Sequence, residues 1–139
     1  MASIRKEILI DARPEDVWDA LRDFGAVHER LARGFVVDAR TEGDERVITF
    51  FDGAEVRELL VGIDEEVRRL AYAIAAGPLG IVHYNGSAQV YADGDGGSRF
   101  VWVVDVLPNE LGAPIQERME RGAVAIKETL ESNVALEPG

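Results

Sequence analysis

Residues 109–133 have the sequence NELGAPIQERMERGAVAIKETLESN, and this stretch decides the fold. Its apolar residues recur at steps of three and four, at Leu111, Ile115, Met119, Ala123, Ile126 and Leu130. That spacing predicts one amphipathic helix whose apolar face packs on the rest of the protein. At 1.5 Å per residue the helix would be roughly 36 Å long, enough to cross a whole domain. Pro114 fits only a first helical turn, so the helix is predicted to begin near Gly112 or Ala113.

The sequence before this helix alternates between apolar and polar residues with a period of two, which is typical of β-strands. Seven strands are predicted, over residues 3–11, 35–41, 46–51, 55–63, 68–75, 82–91 and 98–107. Segments that carry turn residues separate the last six strands, at 42–44, 52–53, 64–66, 77–80 and 93–97. Because short connections join neighbouring strands of opposite direction, the sheet is predicted to be antiparallel.

Two short helices are predicted between the first and second strands. Pro14 suits a first helical turn, and Glu15 and Asp16 complement the positive end of the helix dipole. Gly25 ends this helix, and residues 27–31 form a second helical turn.

Seven strands and one long helix do not make a doubly wound sheet. The helix must instead cover one face of a strongly curved sheet, since each element has a single apolar face to bury. The predicted fold is therefore α+β, with one domain over residues 1–139. The length suits one domain of ordinary size.

The composition excludes several classes of function. There is no cysteine, so disulfide scaffolds, thiol catalysis and Cys-ligated metal centres are excluded. The formal net charge of −11 argues against binding to nucleic acid or to anionic membranes. No segment approaches the roughly 20 apolar residues that span a bilayer, and residues 1–18 lack a signal-peptide pattern. A cytoplasmic protein without membrane insertion is predicted.

Two motifs identify a possible family. Residues 8–24, ILIDARPEDVWDALRDF, contain a strand that ends in a Pro-Glu-x-Val-Trp turn before a helix and an Asp-Phe pair. Residues 98–102, SRFVW, followed by Asp105 and Pro108, are similar to a polar-x-x-Trp strand before a last helix. With the order of elements, these motifs resemble the START-like, or helix-grip, proteins of the SRPBCC superfamily, which include the polyketide cyclase/dehydrase group. The resemblance covers nearly the entire chain.

The resemblance implies a helix-grip fold and a cavity for a hydrophobic ligand, such as a lipid, a polyketide, a hormone or a flavonoid. The fold by itself does not choose among these ligands. Residues 28–31, His-Glu-Arg-Leu, depart from the apolar pair that many members have after the first helices. This departure implies a more polar pocket entrance.

Strand parity selects the candidate ligand-binding residues, because alternate side chains of a strand share one face. The faces predicted to meet the helix carry Tyr72, Tyr84, Phe100 and Trp102, and the helix contributes Ile115 and Met119. Buried tyrosine hydroxyls need partners, so Tyr72 and Tyr84 are candidate anchors for a polar group of a ligand. The alternative is that these rings simply fill the core.

Arg57 is a further candidate for ligand binding. It shares its parity with Leu59, Val61 and Ile63, and is therefore predicted to point inward. An inward arginine needs a carboxylate partner or an anionic group of a ligand. A structural ion pair is the alternative interpretation.

The two histidines are the candidate general bases. His28 lies in the short helical region near the expected pocket mouth, and His83 lies on the polar face of its strand. The alternative is that both are ordinary surface histidines. Two histidines without a ligand spacing make a poor metal site, so no metal and no cofactor is predicted.

Three functions remain open on this evidence. The chain binds a small hydrophobic molecule without chemistry, or it is an enzyme of the polyketide cyclase/aromatase kind that uses the same pocket. The third hypothesis is an acidic protein-interaction module with a vestigial pocket. The apolar second face of residues 98–107 also indicates a possible homodimer.

Overall fold

The computed structural model of the protein describes residues 2–76 and 80–136. The described part contains seven strands, which are β1 (Ala2–Ile10), β2 (Val36–Glu42), β3 (Glu45–Phe50), β4 (Glu55–Asp64), β5 (Arg69–Ala76), β6 (His83–Asp93) and β7 (Gly97–Leu107). It contains two α-helices, α1 (Pro14–Arg22) and α2 (Gly112–Leu136). A 3-10 turn (Phe24–Ala26) and a π-helical turn (Val27–Leu31) lie between α1 and β2, and a second 3-10 turn (Asn109–Leu111) precedes α2.

The strands form one antiparallel sheet in the order β1-β7-β6-β5-β4-β3-β2. The predicted sheet and the predicted helical region between its first two strands are thus confirmed. The sheet wraps around α2, which is the helix-grip arrangement. Residues 77–79 of the turn predicted at 77–80 lie outside the described residues.

Helix α1 packs against β6, β7 and the π-helical turn. Pro14 is its first residue, and Val17, Trp18 and Leu21 are buried, as their spacing requires. The corner before the helix is tied to the sheet, because the buried Ser98 hydroxyl donates to the Ala12 carbonyl at 2.6 Å.

Helix α2 begins at Gly112, where the position of Pro114 predicts its start, and runs to Leu136 rather than 133. Its apolar face is buried at Ile115, Met119, Ala123, Ile126 and Leu130. Leu111 precedes the helix proper, in the 3-10 turn. The stripe quoted above therefore covers the concave face of the sheet.

The predicted inward faces of β5, β6 and β7 are correct at their centres. Leu70, Tyr84, Ala88 and Phe100 are all buried. Val82, which begins the strand predicted over 82–91 on the same parity as Tyr84, instead precedes β6 and is 80% exposed.

The predicted parity of β4 is wrong. Leu59 is exposed on the convex face, opposite Ala73. A register shift between Leu60 and Gly62 changes the parity beyond that point, so Ile63 lies opposite Leu70, and Val61 and Ile63 are both exposed. Val56 and Glu58 occupy the concave face instead. Both parities of the segment EVRELLVGID carry apolar residues, so alternation alone did not decide which face is inside.

Candidate functional site

A cavity of about 260 Å³ lies between the concave face of the sheet and α2. Most of its wall is apolar, with side chains from the π-helical turn, from β2 to β7 and from α2. The volume is close to the lower end of the range of roughly 300–1,000 Å³ found for small-molecule pockets. The space between helix and sheet is therefore not packed solid.

Six of the predicted ligand-binding residues line this cavity. They are Tyr72, Tyr84, Phe100, Trp102, Ile115 and Met119. The strands bring four of them together because their inward positions are in register, with Tyr84 opposite Val106 and Ala88 opposite Trp102. Their role in ligand binding itself stays a prediction.

The Tyr72 ring crosses the neighbouring strand, and Gly86 makes this possible. Tyr72 and Gly86 are directly opposed in the β5–β6 register. A Cβ atom on residue 86 would lie 2.4 Å from Cζ of Tyr72, closer than real Cβ contacts come. The ring thus lies flat over Gly86, and the Tyr72 hydroxyl accepts a hydrogen bond of 2.9 Å from Nε1 of Trp102.

The most polar part of the wall is an ion pair between Arg46 and Glu58. The two residues are directly opposed on β3 and β4, and only 7% and 5% of their surfaces are exposed. Nε and Nη2 of Arg46 lie 2.8 and 2.7 Å from the same carboxylate oxygen, Oε1 of Glu58. Nη1 donates to the Phe24 carbonyl at 3.0 Å, and the guanidinium carbon lies 3.9 Å from the centroid of the Phe24 ring.

Sequence analysis missed this pair because it assigned the inward face of β4 to Arg57. The signal was present: Glu58 lies two residues after Val56 and two before Leu60, on one face. Arg46 likewise shares a face with Ile48 on β3. An acidic and a basic residue on the inward faces of adjacent strands would have indicated a buried pair.

Burial changes the acid–base behaviour of the two cavity tyrosines. It raises the pKa of Tyr72 to about 12, with a further contribution from the negative charge of Glu58. Burial also raises the pKa of Tyr84 well above its ordinary value, and the rings of Tyr72 and Tyr84 lie 6.1 Å apart. Both hydroxyls are therefore protonated at neutral pH and available as neutral hydrogen-bonding groups.

Partly exposed lining residues mark the mouth of the cavity, between the β3–β4 turn and the second turn of α2. Arg118 and Asp52 line it and are partly exposed, and Nη1 of Arg118 lies 2.8 Å from Oδ2 of Asp52. The Arg118 hydrogen bond holds the pKa of Asp52 below its usual value. Arg118 also stacks on Phe50, 4.7 Å from the ring centroid, so the pair bridges helix and turn across the opening.

Arg57 does not line the cavity, and its predicted inward orientation is wrong. It lies on the convex face, where Nη1 is 2.6 Å from Oε2 of Glu42 and 2.9 Å from Oε2 of Glu45. These two carboxylates raise the pKa of Arg57. Arg57 therefore forms a structural ion pair, which was the alternative interpretation of its sequence.

Neither histidine lines the cavity. His83 is exposed at the start of β6, on the face away from α2. In the π-helical turn, Val27 and Leu31 take the inward positions, and His28 turns toward Glu29, with Nε2 3.4 Å from Oε1. Residues 28–31 do not give the cavity a polar entrance, because Leu31 is the member of this segment that lines the cavity. Arg30 instead pairs with Asp19 and Asp23 on the surface.

Across residues 2–76 and 80–136, no three His, Asp or Glu side chains are grouped in a way that could hold a metal ion. Within the same ranges, no helix has the length and apolar character needed to cross a membrane.

The fold and its cavity define a helix-grip protein with an internal space of small-molecule size. A family model described as "Polyketide cyclase / dehydrase and lipid transport" matches residues 1–134. The chain belongs to this family, as its sequence motifs predict. No match was found among curated proteins.

Solved structures confirm the fold. The protein XoxI from Bacillus cereus is 20% identical with a TM-score of 0.84, over 99% of this chain and 100% of that one. A protein from Thermobifida fusca is 24% identical with a TM-score of 0.77, over 99% and 96%. Norcoclaurine synthase from Thalictrum flavum, in complex with dopamine and hydroxybenzaldehyde, is 19% identical with a TM-score of 0.73, over 99% and 88%. At such identities the likeness establishes the architecture alone.

Proposed function

We propose that this protein binds a small, largely apolar molecule in the cavity between α2 and the concave face of the sheet. The observation that carries the proposal is the cavity itself: about 260 Å³, mostly apolar walls and one cluster of buried polar groups. Apolar walls with a few polar groups are the usual composition of a small-molecule site. The small volume favours a compact ring system over a lipid with two acyl chains.

A probe of matching shape tests the proposal. We expect 2-methoxynaphthalene, a neutral two-ring molecule, to bind with one saturable site per chain in equilibrium dialysis. Ala88→Leu should abolish this binding, because Ala88 lines the cavity and the larger side chain would occupy it. Ala92→Leu, on an exposed position of the same strand, is the matched control and should bind as the wild type does.

Ile74→Trp is a second blocking variant, at a partly buried position of the cavity wall, for the case that Ala88→Leu does not fold. Probe binding that persists in a folded blocking variant contradicts the proposal. So does a wild-type protein that binds neither the probe nor any of a panel of lipids and aromatic polyketides. Native mass spectrometry of protein from its own host should show a bound small molecule.

A second candidate function is a cyclase or aromatase reaction in the same cavity. The observation that favours it is the carboxylate of Glu58 in the wall beside two protonated tyrosines, since a carboxylate can accept a proton from a bound substrate. Incubation with a poly-β-ketone separates the two functions: an enzyme releases a cyclised product, and a binder returns the compound unchanged. Interaction through the acidic surface and homodimerisation stay predictions.

A further inference from the structure

The Glu58 carboxylate has one oxygen committed to Arg46 and one oxygen free. Both close contacts of Arg46 fall on Oε1, and no described residue donates a hydrogen bond to Oε2. Among the described residues, only one side-chain nitrogen or oxygen is both fully buried and without a hydrogen-bond partner, and it is Nδ1 of His28. Glu58 Oε2 also has no partner, so it cannot be fully buried. It therefore reaches the open space of the cavity that Glu58 lines.

The pair is held rigidly enough to present that oxygen in a fixed place. Arg46 is fixed by Glu58, by the Phe24 carbonyl and by the face of the Phe24 ring. Arg46 and Glu58 also face each other across the β3–β4 ladder. The free oxygen thus projects from a paired position in the sheet rather than from a mobile loop.

The charges of Arg46 and Glu58 limit the kind of hydrogen-bond donor on a ligand that can bind Glu58 Oε2. Arg46 and Glu58 together carry no net charge, so the cavity wall offers no excess charge to a cationic or an anionic ligand. Transferring an ionised group into an apolar cavity costs far more than transferring a hydroxyl. A neutral O–H donor therefore suits Oε2 better than an ammonium group does.

The nearby tyrosine supplies the complementary half of such a site. Tyr72 accepts a hydrogen bond from Trp102, and its hydroxyl also interacts with the hydroxyl of Tyr84. Whichever of the two tyrosines donates to the other, one hydroxyl proton of the pair is left to be donated. Burial raises the pKa of Tyr72 to about 12, so that proton is present at neutral pH. The wall thus offers an acceptor at Glu58 and one donor in the pair of Tyr72 and Tyr84, and a ligand with a hydroxyl group matches the acceptor.

From this geometry we infer that Glu58 Oε2 is a specificity-determining acceptor, and that the cavity selects neutral hydroxyl-bearing ring compounds of the phenol or enol class over their ethers. The inference rests on the proposed function, because it requires the cavity to bind a ligand. It adds the chemical class of that ligand and the atom that selects it.

Two probes that differ by one methyl group test the inference. We expect the wild type to bind 2-naphthol roughly tenfold to hundredfold more tightly than 2-methoxynaphthalene, the range that a hydrogen bond to a charged group provides. Glu58→Gln keeps the shape and an oxygen for Arg46 but turns an N–H donor toward the cavity. In this variant the preference for 2-naphthol should disappear or reverse. Glu55→Gln, on an exposed position of the same strand, is the control and should keep the preference.

Circular dichroism and the melting temperature establish that Glu58→Gln is folded. If it is not, the double variant Arg46→Met with Glu58→Met removes both charges together, and it should also lose the preference for 2-naphthol. Equal affinity of the wild type for both probes overturns the inference, as does a folded Glu58→Gln that still prefers 2-naphthol. In either case binding of 2-methoxynaphthalene that Ala88→Leu abolishes leaves the proposed function standing. Absence of binding by both probes removes the inference and counts against the proposed function as well.

Discussion

Two side chains that are neighbours in the sequence lie on opposite faces of the sheet and have different partners. Arg57 and Glu58 are neighbours on β4, yet Arg57 pairs with carboxylates on the convex face while Glu58 is buried against Arg46 in the cavity wall. Because successive side chains of a strand point to opposite faces, a parity error of one residue exchanges a surface ion pair for a cavity ion pair. The chemistry of the cavity depends on this single choice.

The raised pKa of Tyr72 predicts a loss of stability in alkaline solution. The unfolded chain releases the tyrosine proton near pH 10, while the folded protein holds it until about pH 12, so folding is favoured less as the pH rises through this range. We expect the free energy of unfolding to fall by roughly 2–3 kcal/mol over these two units from Tyr72 alone. The raised pKa of Tyr84 acts in the same direction.

Urea unfolding at a series of alkaline pH values measures this loss. Tyr72→Phe should reduce the slope of stability against pH, and the double variant with Tyr84→Phe should reduce it further. A slope that is the same in the wild type and in both variants would contradict the assignment of this loss to the buried hydroxyls.

The strands position the cavity groups by their register as well as by their sequence. Tyr72 on β5 reaches Trp102 on β7 because β6 presents Gly86, which has no side chain, directly beneath the ring. One hydrogen bond therefore links strands that are not adjacent. The contact fixes the rings of Tyr72 and Trp102 in one arrangement.

Gly86→Ala is predicted to break this arrangement. The new methyl group would overlap the Tyr72 ring, so the ring must move and the Trp102 hydrogen bond is lost. We expect a loss of about 1–3 kcal/mol in the free energy of unfolding, together with weaker probe binding. Gly62→Ala on β4 is the matched control, because a Cβ there meets no atom within 4 Å. Equal stability of the two variants in urea would show that Tyr72 does not depend on Gly86.

At the scale of the whole molecule, the sheet curves around α2 and leaves a cavity between the two. Ion pairs between separate elements hold the outer edges, such as Arg118 with Asp52 across the cavity mouth. A hydrogen bond holds the C-terminal part of α2, where the Asp11 amide donates to Oε2 of Glu131. These contacts fix the helix at Arg118 and at Glu131, and Ile115, Met119 and Ile126 border the cavity.

These surface partners predict a loss of stability in acid. Five carboxyl groups have a pKa held below the ordinary value by a donor on another residue: Glu7 by Arg99, Glu42 by Arg57, Asp52 by Arg118, Glu65 by Trp18 and Glu131 by the Asp11 amide. The contribution of these groups to the free energy of unfolding is present above about pH 4.5, the ordinary pKa of a glutamate. It is lost as the pH falls through the lowered pKa values of the folded state. The melting temperature should therefore decrease below about pH 4.5.

Salt provides the control for this prediction. Because these groups are exposed, added salt should weaken the pairs and reduce the size of the decrease in acid. A melting temperature that stays constant or rises in the same acidic range would contradict the prediction.

The sequence by itself determined the architecture. The stripe from Leu111 to Leu130, the seven alternating segments and the Pro14 corner each specify a local structure, and few ways exist to bury their apolar faces together. The same patterns brought Tyr72, Tyr84, Phe100 and Trp102 to one face, because residues on alternate positions of a strand share a side.

The tertiary structure alone decided the chemistry of the cavity. Strand β4 is apolar on both faces, so only its pairing with β3 placed Glu58 rather than Arg57 inside, opposite Arg46. The position of the free Glu58 oxygen likewise depends on the register of β3 and β4. The contact of Tyr72 with Trp102 depends on the absence of a side chain at Gly86. Alternation along a strand follows from the local chain, whereas contacts between strands follow from how the whole sheet is assembled.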